Sequence, residues 1–216
     1  ANGVMPYASY STSFDPTIGI DDTTGETLDP TEGKQWEVGV KYQPAGFDGL
    51  FSAAVYDLTQ QNLVRNLGQG RRRQVGEVRS KGLELEATAA LSAAWDLRAS
   101  YAFNETEQKG GPEDGLEMPN APRHLASLWL DRDFGNGLRA GGGIRHIGER
   151  KGDFGNTFDL DSVTLVDLAA TYTRGNIEAS VNLNNVTDEV YLANCGSFGC
   201  YYGEGRSVAA KVAYTW

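Results

Sequence analysis

The stretch RSVAAKVAYTW at positions 206–216 decides the fold. Val208, Ala210, Val212, Tyr214 and Trp216 fall on one face of an extended chain, and Ser207, Ala209, Lys211, Ala213 and Thr215 on the other. An alternation of this kind buries one face and wets the other, which is the signature of a β-strand. The stretch before it repeats the pattern, with Ile177, Ala179, Val181 and Leu183 set against Asn176, Glu178, Ser180 and Asn182. Far upstream, Trp36, Val38, Val40 and Tyr42 alternate in the same way with Glu37, Gly39, Lys41 and Gln43. Working outward, period-two runs predict strands at 4–14, 34–43, 50–60, 77–88, 95–106, 123–131, 138–147, 163–172, 177–184 and 206–216. Helical periodicity with caps is absent from the sequence, so the chain reads as all-β. Both faces are partly apolar at 50–60 and 123–131, where the phase of the alternation stays open.

The connections alternate strictly in length. Long ones occupy 15–33, 61–76, 107–122, 148–162 and 185–205, and short ones 44–49, 89–94, 132–137 and 173–176. Tight turns on one side and long loops on the other characterise transmembrane antiparallel β-barrels, whereas a soluble sandwich mixes its loop lengths. About eleven residues at roughly 3.3 Å each, tilted near 45°, rise about 25 Å, the height of an outer-membrane apolar band. Tyr42, Tyr172, Tyr214 and Trp216 fall at the short-turn ends, where amphipathic rings sit at headgroup level.

Composition fits one domain over residues 1–216, with 27 Gly and 40% hydrophobic residues. No apolar run approaches the roughly 20 residues of a membrane-spanning helix. A mean hydropathy of -0.42 does not argue against a membrane barrel, because lumen-facing residues dilute every strand. The net charge of -10 excludes nucleic acid as a partner class, since phosphate backbones are bound by clustered Lys and Arg. The one basic run, Arg71-Arg72-Arg73, reads as a solvated loop tip, with a contact to lipopolysaccharide phosphates or another anion as the alternative. Residues 1–10 lack the basic and apolar regions of a signal peptide and enter a strand pattern at once, so the sequence reads as a piece of a longer chain.

Five stretches carry a family resemblance: PYASYSTSFDP at 6–16, KGLELEATA at 81–89, PNAPRH at 119–124, VNLNNVTDEVY at 181–191 and the closing CYYGEGRSVAAKVAYTW at 200–216. In order and spacing they resemble the barrel of TonB-dependent siderophore receptors. The resemblance implies a barrel of about 22 strands around an N-terminal plug, the ten strands above being its C-terminal part. The plug and the TonB box have no counterpart in the sequence. It further implies a multi-pass protein of the Gram-negative outer membrane that imports a ferric siderophore with energy from the TonB complex, reached through the N-terminal region. The ferric siderophore is then a transported ligand, with no covalently bound cofactor. Outer-membrane lipids, lipopolysaccharide and the barrel-assembly machinery are the other implied partners.

Cys195 and Cys200, in CGSFGC, resemble the cysteine-bridged last loop of ferrichrome and ferrioxamine receptors. A cell-surface loop is oxidising, so a disulfide is the expected state, and closing so short a ring stabilises it by roughly 2 kcal/mol. A metal site is disfavoured, because these thiols lack a second pair and His124 and His146 lie on other strands. A hydroxamate complex, wrapped in amides, calls for an aromatic pocket with few charges. The candidate ligand contacts are Phe198, Tyr201 and Tyr202 in the bridged loop, Tyr191 just before it, and Phe154 and Phe158 in the preceding loop. Ring packing between loops, or contact with lipopolysaccharide, is the plainer role for each. In ferrichrome receptors an aromatic follows the first loop cysteine; here that position is Gly196, and Phe198 is the substitute. Glu84, Glu86, Asp96, Arg98, Arg139 and Arg145 are expected in the lumen. The sequence points to no catalytic residues. An outer-membrane barrel enzyme, a passive porin, another TonB-dependent substrate and a soluble adhesin are the rival readings.

Overall fold

The computed structural model describes residues 3–74 and 76–216. Ten strands form one antiparallel sheet in chain order: β1 (Val4–Asp15), β2 (Thr31–Tyr42), β3 (Gly49–Gln61), β6 (Glu77–Ser92), β7 (Trp95–Lys109), β8 (His124–Asp133), β9 (Leu138–Ile147), β12 (Val163–Arg174), β13 (Ile177–Asn184) and β16 (Ser207–Tyr214). Each corresponds to a run of period-two alternation in the sequence. The remaining strands form three small hairpins inside long loops: β4 (Val64–Gly68) with β5 (Arg71–Gln74), β10 (Arg150–Lys151) with β11 (Asp159–Leu160), and β14 (Leu192–Gly196) with β15 (Gly199–Tyr202). Those hairpins were not expected. They are too short to carry a periodic signal.

The register separates the two faces. Val38 pairs with Val55, Val55 with Leu83, and Leu83 with Phe103. Further along, Leu128 pairs with Ile144, Ile144 with Val166, Leu168 with Leu183, and Leu183 with Val208. With Ala8 of β1, which pairs with Val38, these residues make one apolar band across all ten strands, the surface that meets lipid. Toward the long loops the band gives way to charge, where Asp57 binds Arg79 and Lys81 lies 3.6 Å from Glu105. At the short-turn end the β12–β13 connection is the two-residue Gly175-Asn176, with Gly175 at φ 59°, which a side chain would strain.

The opposite face is the lumen. It holds Glu84 and Glu86 and the ion pairs Arg98–Asp131 (2.5 Å), Arg139–Asp96 and Arg145–Asp167 (2.5 Å). The expectation for all six lumen charges therefore holds. The two strands of open phase are settled by their partners. Phe51, Ala53 and Val55 face lipid with Leu85 and Leu83, and Ala126, Leu128 and Leu130 face lipid with Tyr101 and Leu97. Trp129 takes the lumen side of β8 opposite Gly143, where a Cβ would run into its indole ring.

One reading needs correction. Arg71-Arg72-Arg73 is not a free loop tip: it lies in β5, where Asp22 accepts the Arg72 backbone N–H at 2.6 Å and the Arg72 guanidinium donates to the Ile18 carbonyl at 3.1 Å. The buried Asp21 carboxylate accepts backbone N–H groups from Gln74 (2.7 Å), Thr23 (2.7 Å) and Thr24 (3.2 Å). Those N–H groups, Gln74 first, hold its carboxyl below the usual aspartate value. The acidic first loop is thus fastened onto the basic hairpin, because each supplies what the other's backbone lacks.

Candidate functional site

The long loops gather at one end of the sheet and are stapled to one another by side chains that bond to backbone. Asn120 grips the bridged loop twice, donating to the Cys195 carbonyl and accepting from the Cys195 N–H, both at 2.8 Å. Ser197 donates its hydroxyl to the Asn66 carbonyl at 2.6 Å, tying that loop to the β4–β5 hairpin. Gln108 donates to the carbonyls of Glu117 (3.0 Å) and Phe154 (3.1 Å), and Asn156 donates to Glu117 at 2.9 Å. Asn120 and Asn156 sit at φ 60° and 52°, a left-handed conformation that asparagine tolerates better than most residues. Arg150, only 4% exposed, donates to the carbonyls of Leu192 (2.5 Å) and Ala193 (2.8 Å) and so holds β14 down.

The base of the last loop explains the stretch VNLNNVTDEVY. Asn185, 1% exposed, donates its amide to the carbonyls of Glu189 (2.9 Å) and Glu204 (3.1 Å) and accepts the Glu189 N–H at 2.9 Å. Its own N–H donates to Asp167 at 2.9 Å, and Asp188 accepts from the Arg206 backbone and side chain, both at 3.0 Å. The two ends of the loop are closed together before its tip begins.

Between the hairpin, the 152–154 segment and the bridged loop lies a cavity of about 510 Å³, lined by Arg65, Leu67, Pro119, Phe154, Gly196 and Phe198 among others. That size is within the range of small-molecule sites. Phe198 is 75% exposed at its rim, and the Arg65 guanidinium lies 4.0 Å from the Phe154 ring centre. Glu113 bridges Arg65 (2.8 Å) and Arg73 (2.9 Å). Partial burial pushes the Glu113 carboxyl up, but the hydrogen bonds and charges of the two arginines outweigh it and hold it below the usual glutamate value. The cavity thus sets two aromatic rings among polar side chains, Asn66, Asp153 and Ser197, with the Arg65 guanidinium partnered by Glu113.

Of the six candidate contacts, the structure brings Phe154 and Phe198 together here. Tyr191 and Tyr202 line a second cavity of about 520 Å³, beside Leu160 and Glu189. Tyr201 is 56% exposed, and Phe158 packs against Gly152; neither lines either cavity. Cys195 and Cys200 form a disulfide. At Gly196 a Cβ would meet open space. Arg65, Glu113 and Asn120 were not singled out in the sequence; their signal was at most that of polar residues within long loops. His124 bonds Tyr101 Oη at 2.9 Å and His146 bonds Thr164 Oγ1 at 2.9 Å, both on the lipid side of the sheet and outside these cavities.

Comparison with known proteins agrees with this geometry. Residues 1–186 match the family described as TonB dependent receptor-like, beta-barrel. The Ferrioxamine B receptor of Salmonella typhimurium is 42% identical over 228 residues, covering 100% of this chain and 32% of the receptor. The Ferrichrome outer membrane transporter/phage receptor of Escherichia coli is 37% identical over 228 residues, covering 99% of this chain and 30% of the transporter. Among solved structures, the siderophore receptor PiuA from Acinetobacter baumannii superposes with a TM-score of 0.79 at 25% identity, covering 99% of this chain and 34% of PiuA. The chain spans about a third of the length of the curated relatives it matches.

Proposed function

The chain belongs to the TonB-dependent receptor-like β-barrel family, and on that premise we propose that it is the C-terminal barrel portion, residues 1–216, of an outer-membrane receptor importing ferric siderophores of the hydroxamate class. The observation that carries the reading is the cavity walled by Phe154 and Phe198 and held open by the stapled, disulfide-closed last loop. A ferric hydroxamate complex presents amide and methylene surface with little exposed charge; the Phe154 and Phe198 rings suit its methylenes, and Asn66 and Ser197 offer hydrogen-bonding groups to its amides. The ferrioxamine and ferrichrome names of the relatives support the same class. Transport needs no bond-making by these residues: the barrel holds the chelate at its mouth, and energy delivered by the TonB complex to the rest of the receptor moves it inward. The surrounding outer-membrane lipid, lipopolysaccharide and the barrel-assembly machinery complete the partners.

The test is uptake of radiolabelled iron as ferrioxamine B and as ferrichrome by cells whose own hydroxamate receptors are deleted and which carry the intact receptor. Uptake of either that stops when TonB is removed supports the reading. Absence of uptake for both, with the receptor present in the outer membrane, contradicts it. The two chelates side by side also separate the branches, where Gly196 departs from the ferrichrome pattern.

A further inference from the structure

The arginines of the sheet divide by face. In the lumen Arg98, Arg139 and Arg145 each have a carboxylate partner. On the lipid side, next to the short turns, Arg132 and Arg174 have no carboxylate partner among the described residues. Arg132 pairs across the sheet with Trp95, which opens β7 just after its short turn. Its guanidinium lies 5.2 Å from the Trp95 ring centre and 4.7 Å from that of Phe134. A guanidinium seated over rings and bonded to no carboxylate leaves its N–H fork for another anion, and that fork matches a phosphate.

A second feature lies further along the same strand. Ala53, Ala87 and Ala99 leave a depression in the lipid face, walled by Tyr42, Phe51 and Tyr101, with a volume of about 420 Å³. Trp95 and Ala99 are four residues apart on β7, roughly 13 Å of strand, so an acyl chain whose headgroup sits at Arg132 reaches the depression. The depression is continuous with the apolar band that meets lipid, which makes hydrocarbon its natural filling.

We propose that Arg132, Trp95 and Phe134 bind the phosphate of a phospholipid in the periplasmic leaflet, and that one acyl chain of the same lipid lies in the alanine depression. The site rests on the outer-membrane barrel reading and adds a defined lipid position to it. Its function is to fix the height of the barrel on the short-turn side.

The experiment uses the intact receptor, reconstituted in nanodiscs containing phosphatidylglycerol and transferred to mild detergent, with retained lipid counted by native mass spectrometry. Arg132→Gln is expected to lower retained phosphatidylglycerol about fivefold, the effect of one arginine near an anionic headgroup. Ala87→Phe, which fills the depression and leaves the arginine, is expected to lower it as well. Arg71→Gln, the same charge change on an extracellular hairpin, leaves retention as in the wild type, and added inorganic phosphate does not displace the lipid. Equal retention in Arg132→Gln and the wild type, or displacement of the lipid by inorganic phosphate, overturns the site. Heat-modifiable migration of each variant separates lost lipid from lost fold. Ferrioxamine B binding by the same preparation tests the receptor reading separately.

Discussion

At the scale of the residue, the cavity assigns unequal roles to the aromatics. Phe198 projects from the rim at 75% exposure, so its removal costs the fold little, while a ring stacked on a ligand contributes about 1–2 kcal/mol. Phe198→Ala is expected to weaken ferric hydroxamate binding about tenfold in calorimetric titration and to leave the melting temperature unchanged. Gly196→Tyr is expected to fold like the wild type, because a Cβ there meets open space, and to alter the preference between ferrichrome and ferrioxamine B. Glu113 supplies a pH test. Its carboxyl is held below the usual value in the folded loops, so its clamp is fully present above the ordinary glutamate range and is lost as pH falls through the lowered folded value. Amide exchange in the β4–β5 hairpin should rise over that acidic window, whereas Glu113→Gln should raise it already at neutral pH and flatten the dependence. The sequence placed aromatics in the right loops without saying which rings meet. Ring direction follows from hairpin register, and β14–β15 carries an irregularity between Leu192 and Asn194 that no periodicity announces. The staples were hidden for a related reason: Asn120 bonds to the backbone of a residue 75 positions away, and a carbonyl has no sequence signature.

At the scale of the element, alternation made the ten long strands legible, because each has one face in lipid. The same rule was silent on the three hairpins, whose residues are held by loop contacts instead of a buried face. Arg71-Arg72-Arg73 shows the consequence: by charge alone it looks solvated, yet the first loop supplies carboxylates and carbonyls that fix Arg72 and Gln74. The bridged loop is an element closed at both ends, by its disulfide at the tip and by Asn185 at the base. Cys195→Ser is expected to remove about 2 kcal/mol of local loop stability, weaken siderophore binding and leave barrel assembly intact. Loss of the receptor from the outer membrane in that variant would contradict the separation of loop from barrel. Asn185→Ala reaches deeper, emptying a buried position and stripping partners from the Glu189 and Glu204 backbone, and is expected to lower the melting temperature as well as ligand affinity.

For the whole molecule, two faces with opposite solvents are what the register requires, and adjacent residues of one strand test them. Val181 faces lipid and pairs with Ala210, whereas Asn182 faces the lumen and pairs with Ala209. Val181→Arg is expected to cost about 2–4 kcal/mol and deplete the folded, heat-modifiable form, while Asn182→Arg is tolerated. Equal damage from both would mean that the faces are assigned wrongly. The apolar band, the lumen charges and the loops on one side were all visible in the pattern of residues, since membrane geometry imposes them on every strand. What joins loop to loop was not, because it is chosen once, by contacts between distant segments. The most direct measurement is calorimetric titration of the intact receptor with ferric ferrioxamine B and ferrichrome, for the wild type and the Phe154→Ala/Phe198→Ala double variant. Saturable binding of at least one chelate that is lost in the double variant, with its melting temperature preserved, is the expected result; binding of equal strength in both proteins would place the ligand elsewhere and contradict the site.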